Sequence, residues 1–409
     1  MRATDEVTQA CPIERVEALV LRAKEDSSDL DAAQETVVVR LTDAAGRTGI
    51  GEADSVEEAV AEVVHRRGGH AWSSALDDVL IGRDPFQTEA IWADLAQATR
   101  WSGWSGIAMH AIAAVDVAVH DLASKQLGRP AFHLLGGARR DRLRPYATCW
   151  VSRVGAPDLP TVLDATLDQM RQAVDLGFGA VKMELLFEDL ATDRDLVTCI
   201  QEGRRAVGDD VDLLVDFGYR WTHWRDAHQV LRKVEPQDIY LAEAPLQPDD
   251  LIGHARLGER VDTRVGGAET ASSLDECRAW LEVGRVDVLQ PDVGRAGGLS
   301  HMRRICELAA LYGASVIPHC WRTGINAAAA RHLHAALPNV PMVEFLPPQF
   351  STSPLRHALV GDEPVVVDGF LELPSSPGLG VHLDLDTIER FVVRRGHGPV
   401  PADERGHRR

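Results

Sequence analysis

The sequence predicts an α/β protein whose larger part is a (β/α) barrel, and three observations carry that prediction. Past Gly137, short apolar runs alternate with amphipathic helical stretches, the repeat of a parallel sheet. Candidate strands end near Cys149, Glu184, Asp216, Glu243, Glu269, Pro291, His319 and Glu344, enough to close a barrel. Three of these runs end in an acid: Leu213-Leu214-Val215-Asp216, Ile239-Tyr240-Leu241-Ala242-Glu243 and Val265-Gly266-Gly267-Ala268-Glu269. An open doubly wound sheet shares the alternation, but a dinucleotide binder needs a Gly-rich loop after its first strand. Gly294-Arg295-Ala296-Gly297-Gly298 comes too late and lacks the spacing.

The elements follow in order. From Glu35 to Gly51, Thr36-Val37-Val38-Val39-Arg40-Leu41-Thr42 and Thr48-Gly49-Ile50-Gly51 flank a Gly-containing turn and read as a β-hairpin that begins an N-terminal α+β unit. From Glu89 to Leu127 apolar residues keep a helical period, and from about Met109 the helix is Ala-rich and buried until Gly128-Arg129-Pro130 stops it. Leu163, Leu167, Met170 and Val174 mark an amphipathic helix from Leu159 to Leu176, closed by Gly177 and followed by the strand Ala180-Val181-Lys182-Met183-Glu184. Beyond the barrel, a strand over 364–370 and turns over 377–380 are expected to return to the N-terminal unit. The end from about Arg394 to Arg409, rich in Pro, Gly and charge, is expected to be disordered.

Length and charge narrow the function classes. The 409 residues fit a barrel of roughly 250 residues plus additional structure. A net charge of −19 without an extended basic patch argues against a nucleic-acid partner. The six cysteines are scattered and read as reduced packing residues. The start lacks a basic segment followed by an apolar one, and no apolar run reaches 18 residues, so no membrane partner and a cytoplasmic protein are expected.

A barrel gathers its strand ends on one face, so Asp216, Glu243 and Glu269 can converge there on a hard cation, and a magnesium site is expected. Any one acid alone would be unremarkable on a surface; at the end of a buried run it is an expensive charge unless it is used. Lys182 and Glu184, two apart on a strand, share the face that lines the mouth. They read either as a structural ion pair or as a lysine that neutralises a substrate carboxylate beside a glutamate that accepts a proton or binds a hydroxyl. His319 and Asp292 close neighbouring strands, and a carboxylate behind an imidazole suits general acid/base work; the alternative is a satisfied core histidine. Glu344 is either a rim acid or, if burial and neighbouring acids raise its pKa, a donor to a developing oxyanion. Together these groups suit removal of a proton next to a carboxylate, with a divalent ion and Lys182 stabilising the enediolate charge.

On these residues the chain resembles the enolase superfamily, specifically its mandelate racemase subgroup (the mandelate racemase/muconate lactonizing enzyme family), over nearly its whole length. Thr48-Gly49-Ile50-Gly51-Glu52-Ala53 looks like the family's early Gly-Glu hairpin, Leu134-Leu135-Gly136-Gly137 its cap-to-barrel junction, and Pro291-Asp292 through Gly297-Gly298 with His319 and Glu344 its dyad and electrophilic glutamate. The resemblance implies a modified TIM barrel, (β/α)7β, over residues 138–355, beneath an α+β capping domain formed by residues 1–137 and a C-terminal segment, 356–409, that returns to the cap. It also implies that loops from Ala23 to Leu30 and after Glu52 cover a small anionic substrate, a sugar acid or hydroxy acid, and that the chain forms a homo-oligomer. Trp101 and Trp104 offer aromatic contact from the cap or plain packing. Two departures stand out. The family's Lys-x-Lys is Lys182-Met183-Glu184 here, and the Asn common two residues past the first metal acid is Gly218, with Tyr219 and Trp221 following. The expected reaction is dehydration of a sugar acid to a 2-keto-3-deoxy acid; the alternatives are racemisation, epimerisation or cycloisomerisation, and a non-catalytic ligand-binding member.

Overall fold

The computed structural model of the chain describes residues 10–23, 35–66, 72–151, 158–186, 190–361 and 363–397. Its cap is built on a four-stranded antiparallel sheet in the order Val392–His397, Ile13–Arg22, Glu35–Asp43, Thr48–Ala53. The expected hairpin is there, running from the pair Val37 and Ala53 to Thr42 and Thr48. Its turn is fixed by Asp43, whose Oδ1 accepts the N–H groups of Ala45 and Arg47, and by Gly46 at φ 80°. Two strands of this sheet differ from expectation. Ile13–Arg22 precedes the hairpin and pairs along its length with Glu35–Asp43. Val392–His397 is ordered through the residues expected to be disordered from Arg394, because its backbone pairs with Ile13–Arg22 while Arg394 and Arg395 reach Glu62 and Glu389. An edge strand tolerates such charges on its open side. Residues 398–409 lie outside the described residues, as does the covering loop expected after Ala23.

The helical period from Glu89 resolves into two helices, Thr88–Thr99 and Ile107–Leu127. Between them Gly103 and Gly106 take φ of 124° and 60°, which few other residues adopt, and the chain turns there. The second helix is long and apolar enough to cross a membrane, yet it is buried inside the fold. It lies on the hairpin so closely that a Cβ at Gly49 or Gly51 would stand 2.2 or 2.0 Å from the carbonyl oxygens of Ala118 and Ala114. Its buried acids bind cap to barrel: Asp116 accepts the Ser300 N–H and hydroxyl, and Asp121 accepts the N–H groups of Ile50 and Leu379 and the ammonium of Lys125.

The barrel is an eight-stranded parallel sheet whose chain order is Pro145–Cys149, Ala180–Glu184, Asp212–Asp216, Ile239–Glu243, Arg264–Gly267, Val288–Leu289, Ser315–Val316 and Val343–Phe345. The eighth strand pairs with the first. Between the seventh and eighth no ladder forms among the described residues; Val316 N–H reaches the Asn339 carbonyl instead. Helices cover the outside, among them Leu159–Asp175, capped by Asp158 and ended at Gly177 as expected. Alternation along each strand sorts the core into two layers. Tyr146, Ala180, Leu214, Leu241, Val288, Ile317 and Met342 fill the interior, while Val181, Met183 and Val215 pack outward under the helices. Lys182 and Glu184 share the inward face with Ala180.

The returning segment is shifted from the expected position. Residues Val367 and Phe370 close a turn through Asp368 and Gly369, both at positive φ, and the short strand Leu371–Glu372 then pairs with Arg142–Leu143. A bridge from Gly378 to Pro130 completes the return toward the cap.

Candidate active site

The parallel register sets the acids side by side. Glu184 is level with Asp216, Asp216 with Glu243, and Glu243 with Gly266, two residues before the loop that carries Ala268 and Glu269. The turns at these strand ends are strained: Ala244 and Ala268, flanking Glu243 and Glu269, take φ of 43° and 85°, and Tyr219 takes 62°. Left-handed backbone costs an L residue roughly 1–2 kcal/mol, and such residues gather at functional sites because the surroundings must hold them.

Lys182 stands among the acids. Its ammonium lies 2.7 Å from Glu344 Oε1, 3.1 Å from Glu243 Oε1, 3.5 Å from Asp216 Oδ2 and 3.9 Å from Glu184 Oε1, with the side chain only 1% exposed. Sequence reasoning left this lysine between an ion pair and a substrate carboxylate; in the structure its first partners are the protein's own acids. Burial pushes against its charge, but Glu243 and Glu344 hold its pKa well above the ordinary value. Glu344 differs from expectation too. Burial would raise it, but Lys182, His319 and the Thr148 hydroxyl together lower its pKa. Its oxygens accept from Thr148 at 2.6 Å and from the Cys320 N–H at 2.7 Å, so it stands as a carboxylate acceptor.

The remaining acids are short of positive charge. Burial first, and then the neighbouring carboxylates against the opposing pull of Lys182, push Glu243 up to about 8. Burial likewise drives Glu184 and Asp216 upward. Oxygen Oε2 of Glu243 is buried and has no hydrogen-bond partner among the described residues. A crowded set of hard oxygen donors with an orphaned oxygen among them fits a divalent cation such as magnesium, held by Asp216, Glu243 and Glu269.

Beside this cluster lies the dyad. His319 Nδ1 is 2.6 Å from Asp292 Oδ2, and its Nε2 faces Glu269 Oε2 at 3.8 Å. Oxygen Oδ1 of Asp292 accepts from the Gly294 N–H at 2.6 Å and the Asn326 amide at 2.9 Å, which aims Oδ2 at the ring. Burial opposes a charged imidazole, yet the bond to Asp292 and the charge of Glu269 raise it to about 10. The core-histidine reading fails on this geometry, since Nε2 points at the acids rather than at packing.

Sequence reasoning expected the loop after Glu52 to cover the substrate but singled out no residue in it. Asp54, two residues past Glu52, lies 3.8 Å from His319 Nδ1 and pairs with Arg295 at 3.0 Å and with Arg322. Glu52 accepts the Thr36 hydroxyl and, through Oε2, the Thr323 hydroxyl and the N–H groups of Thr323 and Asn326, at the start of the helix Gly324–Ala336. The Gly-Glu motif at Gly51-Glu52 pointed at this contact, but an acid in the turn after it carried no further signal. Asp54, Asp292 and His319 bring ligand atoms within 4.8 Å of one another, a spacing a metal can use. Two guanidiniums already neutralise Asp54 there, so the oxygen set around Glu243 is the better cation site. Trp104 lines a cavity of about 560 Å³ with Trp92, Met109 and His301, and none of the predicted site residues lines it. Trp101 instead packs edge-on against Trp72, centroids 4.9 Å apart.

Comparison with known proteins agrees with this geometry. The profile for the mandelate racemase / muconate lactonizing enzyme N-terminal domain matches residues 27–136, and that for the enolase C-terminal domain-like family matches residues 165–387. D-galactarolactone cycloisomerase of Agrobacterium fabrum is 32% identical over 76% of this chain and 82% of its own. L-rhamnonate dehydratase of Saccharopolyspora erythraea is 30% identical over 85% and 83%. A racemase from Streptomyces coelicolor A3(2), solved with bound magnesium, is 27% identical and superposes with a TM-score of 0.78 over 93% of this chain and 100% of that one.

Proposed function

The chain belongs to the mandelate racemase / muconate lactonizing enzyme family of the enolase superfamily, an enzyme family, and from that premise we propose that it dehydrates a sugar acid with magnesium bound. The product is a 2-keto-3-deoxy acid. The observation that carries the choice of reaction is that one side chain is positioned as acid and base, its Nδ1 held by Asp292 and its Nε2 turned into the site. His319 is that side chain; across the mouth Lys182 is engaged by four carboxylates, and Glu184 is pushed toward its neutral form. Racemisation requires a base on each face of the α carbon. Dehydration can use one group twice: His319 takes the α proton, and its imidazolium returns a proton to the departing β hydroxyl, which leaves as water.

Asp216, Glu243 and Glu269 would hold the cation. When bound, magnesium supplies charge neutralisation for the carboxylate as the α proton leaves, and it offsets the charge of Glu269 that holds the His319 pKa up. Lys182 adds a positive charge that solvent cannot screen. Asn326 and the Gly294 N–H fix Asp292, which in turn fixes the tautomer of His319.

The test is a screen for keto acids across aldonates, aldarates and uronates with magnesium present. Formation of keto acid from one stereochemical series is the expected result, and none from any member sinks the proposal. Similarity to D-galactarolactone cycloisomerase supports a second reading, isomerisation of a sugar-acid lactone. Deuterium uptake at the α carbon without loss of a hydroxyl would favour it. A non-catalytic role does not suit a chain that keeps these buried charges together.

A further inference from the structure

Tyr219 sits in a conformation that glycine would adopt without strain, with φ at 62° directly after Gly218 at 55°. Two backbone contacts hold it there: its N–H donates to the Ala244 carbonyl at 2.7 Å, and its carbonyl accepts from the Gln247 side chain. Neither contact uses the phenol ring, so a glycine could make both. For Ala244 and Ala268 the strain places an adjacent acid, but Tyr219 lies three residues past Asp216 and places its own side chain. The end of that side chain, the hydroxyl, is buried and has no hydrogen-bond partner among the described residues. A buried donor without a partner is costly, and in a site it calls for an acceptor such as a ligand oxygen or a water.

Charge around the hydroxyl says what it can do. A phenol holds its proton at neutral pH and donates, and Glu269, Asp216 and Glu243 are the charged groups around it. Those acids are the proposed cation ligands. With those oxygens committed to a cation, a substrate oxygen on the same side of the site is the acceptor left for Tyr219, and Glu269 is its competitor.

We propose that Tyr219 is a substrate-binding residue whose hydroxyl donates a hydrogen bond to an oxygen of the sugar acid held at the cation. This rests on the function proposed above. The competing role is structural: the hydroxyl would donate to Glu269 and orient it for the metal.

Tyr219→Phe separates the two, because it keeps the ring, the backbone bonds and the strain and removes only the hydroxyl. Magnesium affinity is read by calorimetry without substrate, and acid-sugar affinity by calorimetry with magnesium in a His319→Asn background. Steady-state kinetics are then taken on whichever acid the screen identifies. The expected result is magnesium affinity within about twofold of the parent and a loss of about tenfold or more in both acid-sugar affinity and kcat/KM. Unchanged acid-sugar affinity and kcat/KM would overturn the proposal. So would weaker magnesium binding with a rate fully restored by excess magnesium, which assigns the tyrosine to Glu269. If the parent binds sugar acids but forms no keto acid, dehydration falls and the binding arm still judges Tyr219. If it binds none, both proposals fall.

Discussion

At the scale of single residues the site is a balance of charge. Five carboxylates, Glu184, Asp216, Glu243, Glu269 and Glu344, face one buried lysine and one histidine, and the lysine is already shared among four of them. The proposed proton transfer therefore falls to His319, and replacing it tests that directly. His319→Asn leaves a side chain able to donate to Asp292, so turnover is expected to fall by about a thousandfold while the melting temperature stays within ~3 °C of the parent. Turnover retained in that variant refutes the role. Most of these residues were legible in the sequence, because an acid or histidine that ends a buried apolar run is conspicuous. Lys182 was legible as a site residue but not as the hub of four acids, which depends on register across strands. Asp54 and Asn326 were not legible at all. Their contacts with the dyad span 265 and 34 residues, set by how the cap seats on the barrel and how one helix begins.

At the scale of elements, what placed each piece was periodicity, and what displaced it was tertiary context. The hairpin, the buried helix and the barrel strands follow their patterns, whereas Val392–His397 becomes a strand only because Ile13–Arg22 offers it an edge. The sequence around Arg394 carries no strand signal of its own. The expected strand over 364–370 moved for a similar reason, since positive φ at Asp368 and Gly369 makes a turn and the pairing partner Arg142–Leu143 lies just beyond. Close packing of the cap hairpin on Ile107–Leu127 gives a test at this scale. Gly51→Ala puts a methyl 2.0 Å from the Ala114 carbonyl oxygen, whereas Gly46→Ala, at φ 80°, meets no atom within 4 Å. The Gly46 variant is expected to lose about 1 kcal/mol to backbone strain alone, and the Gly51 variant about 1–3 kcal/mol more as the helix is pushed off its strand. Chemical denaturation of both reads the difference. Equal losses would mean that the helix and hairpin yield to each other freely.

At the scale of the whole molecule, the acids of the proposed site also bear on how the barrel closes. The seventh and eighth strands share no ladder among the described residues, and across that seam the Cys320 N–H reaches Glu344, which Lys182 links in turn to Glu243 and Asp216. In the metal-free protein these acids repel one another in a chain whose net charge is already −19. Glu243 has its folded pKa raised to about 8 from an ordinary 4.5, so the folded state holds a proton that the unfolded chain has released. Its contribution to stability is fully present below about pH 4.5 and is lost as pH rises through about 8, at up to ~1.4 kcal/mol per pH unit for one group. Magnesium held there as proposed would compete with that proton and replace its effect on the fold. The melting temperature of the metal-free protein should therefore fall between pH 6 and 8, and the rise caused by added magnesium should grow over the same interval. At a hundredfold excess over Kd the stabilisation is ~2.7 kcal/mol. Thermal melts in chelator and in magnesium, taken at several pH values, decide it. A magnesium effect that shrinks as pH rises would place the ion away from Glu243, and with it the whole account of how the five acids are neutralised.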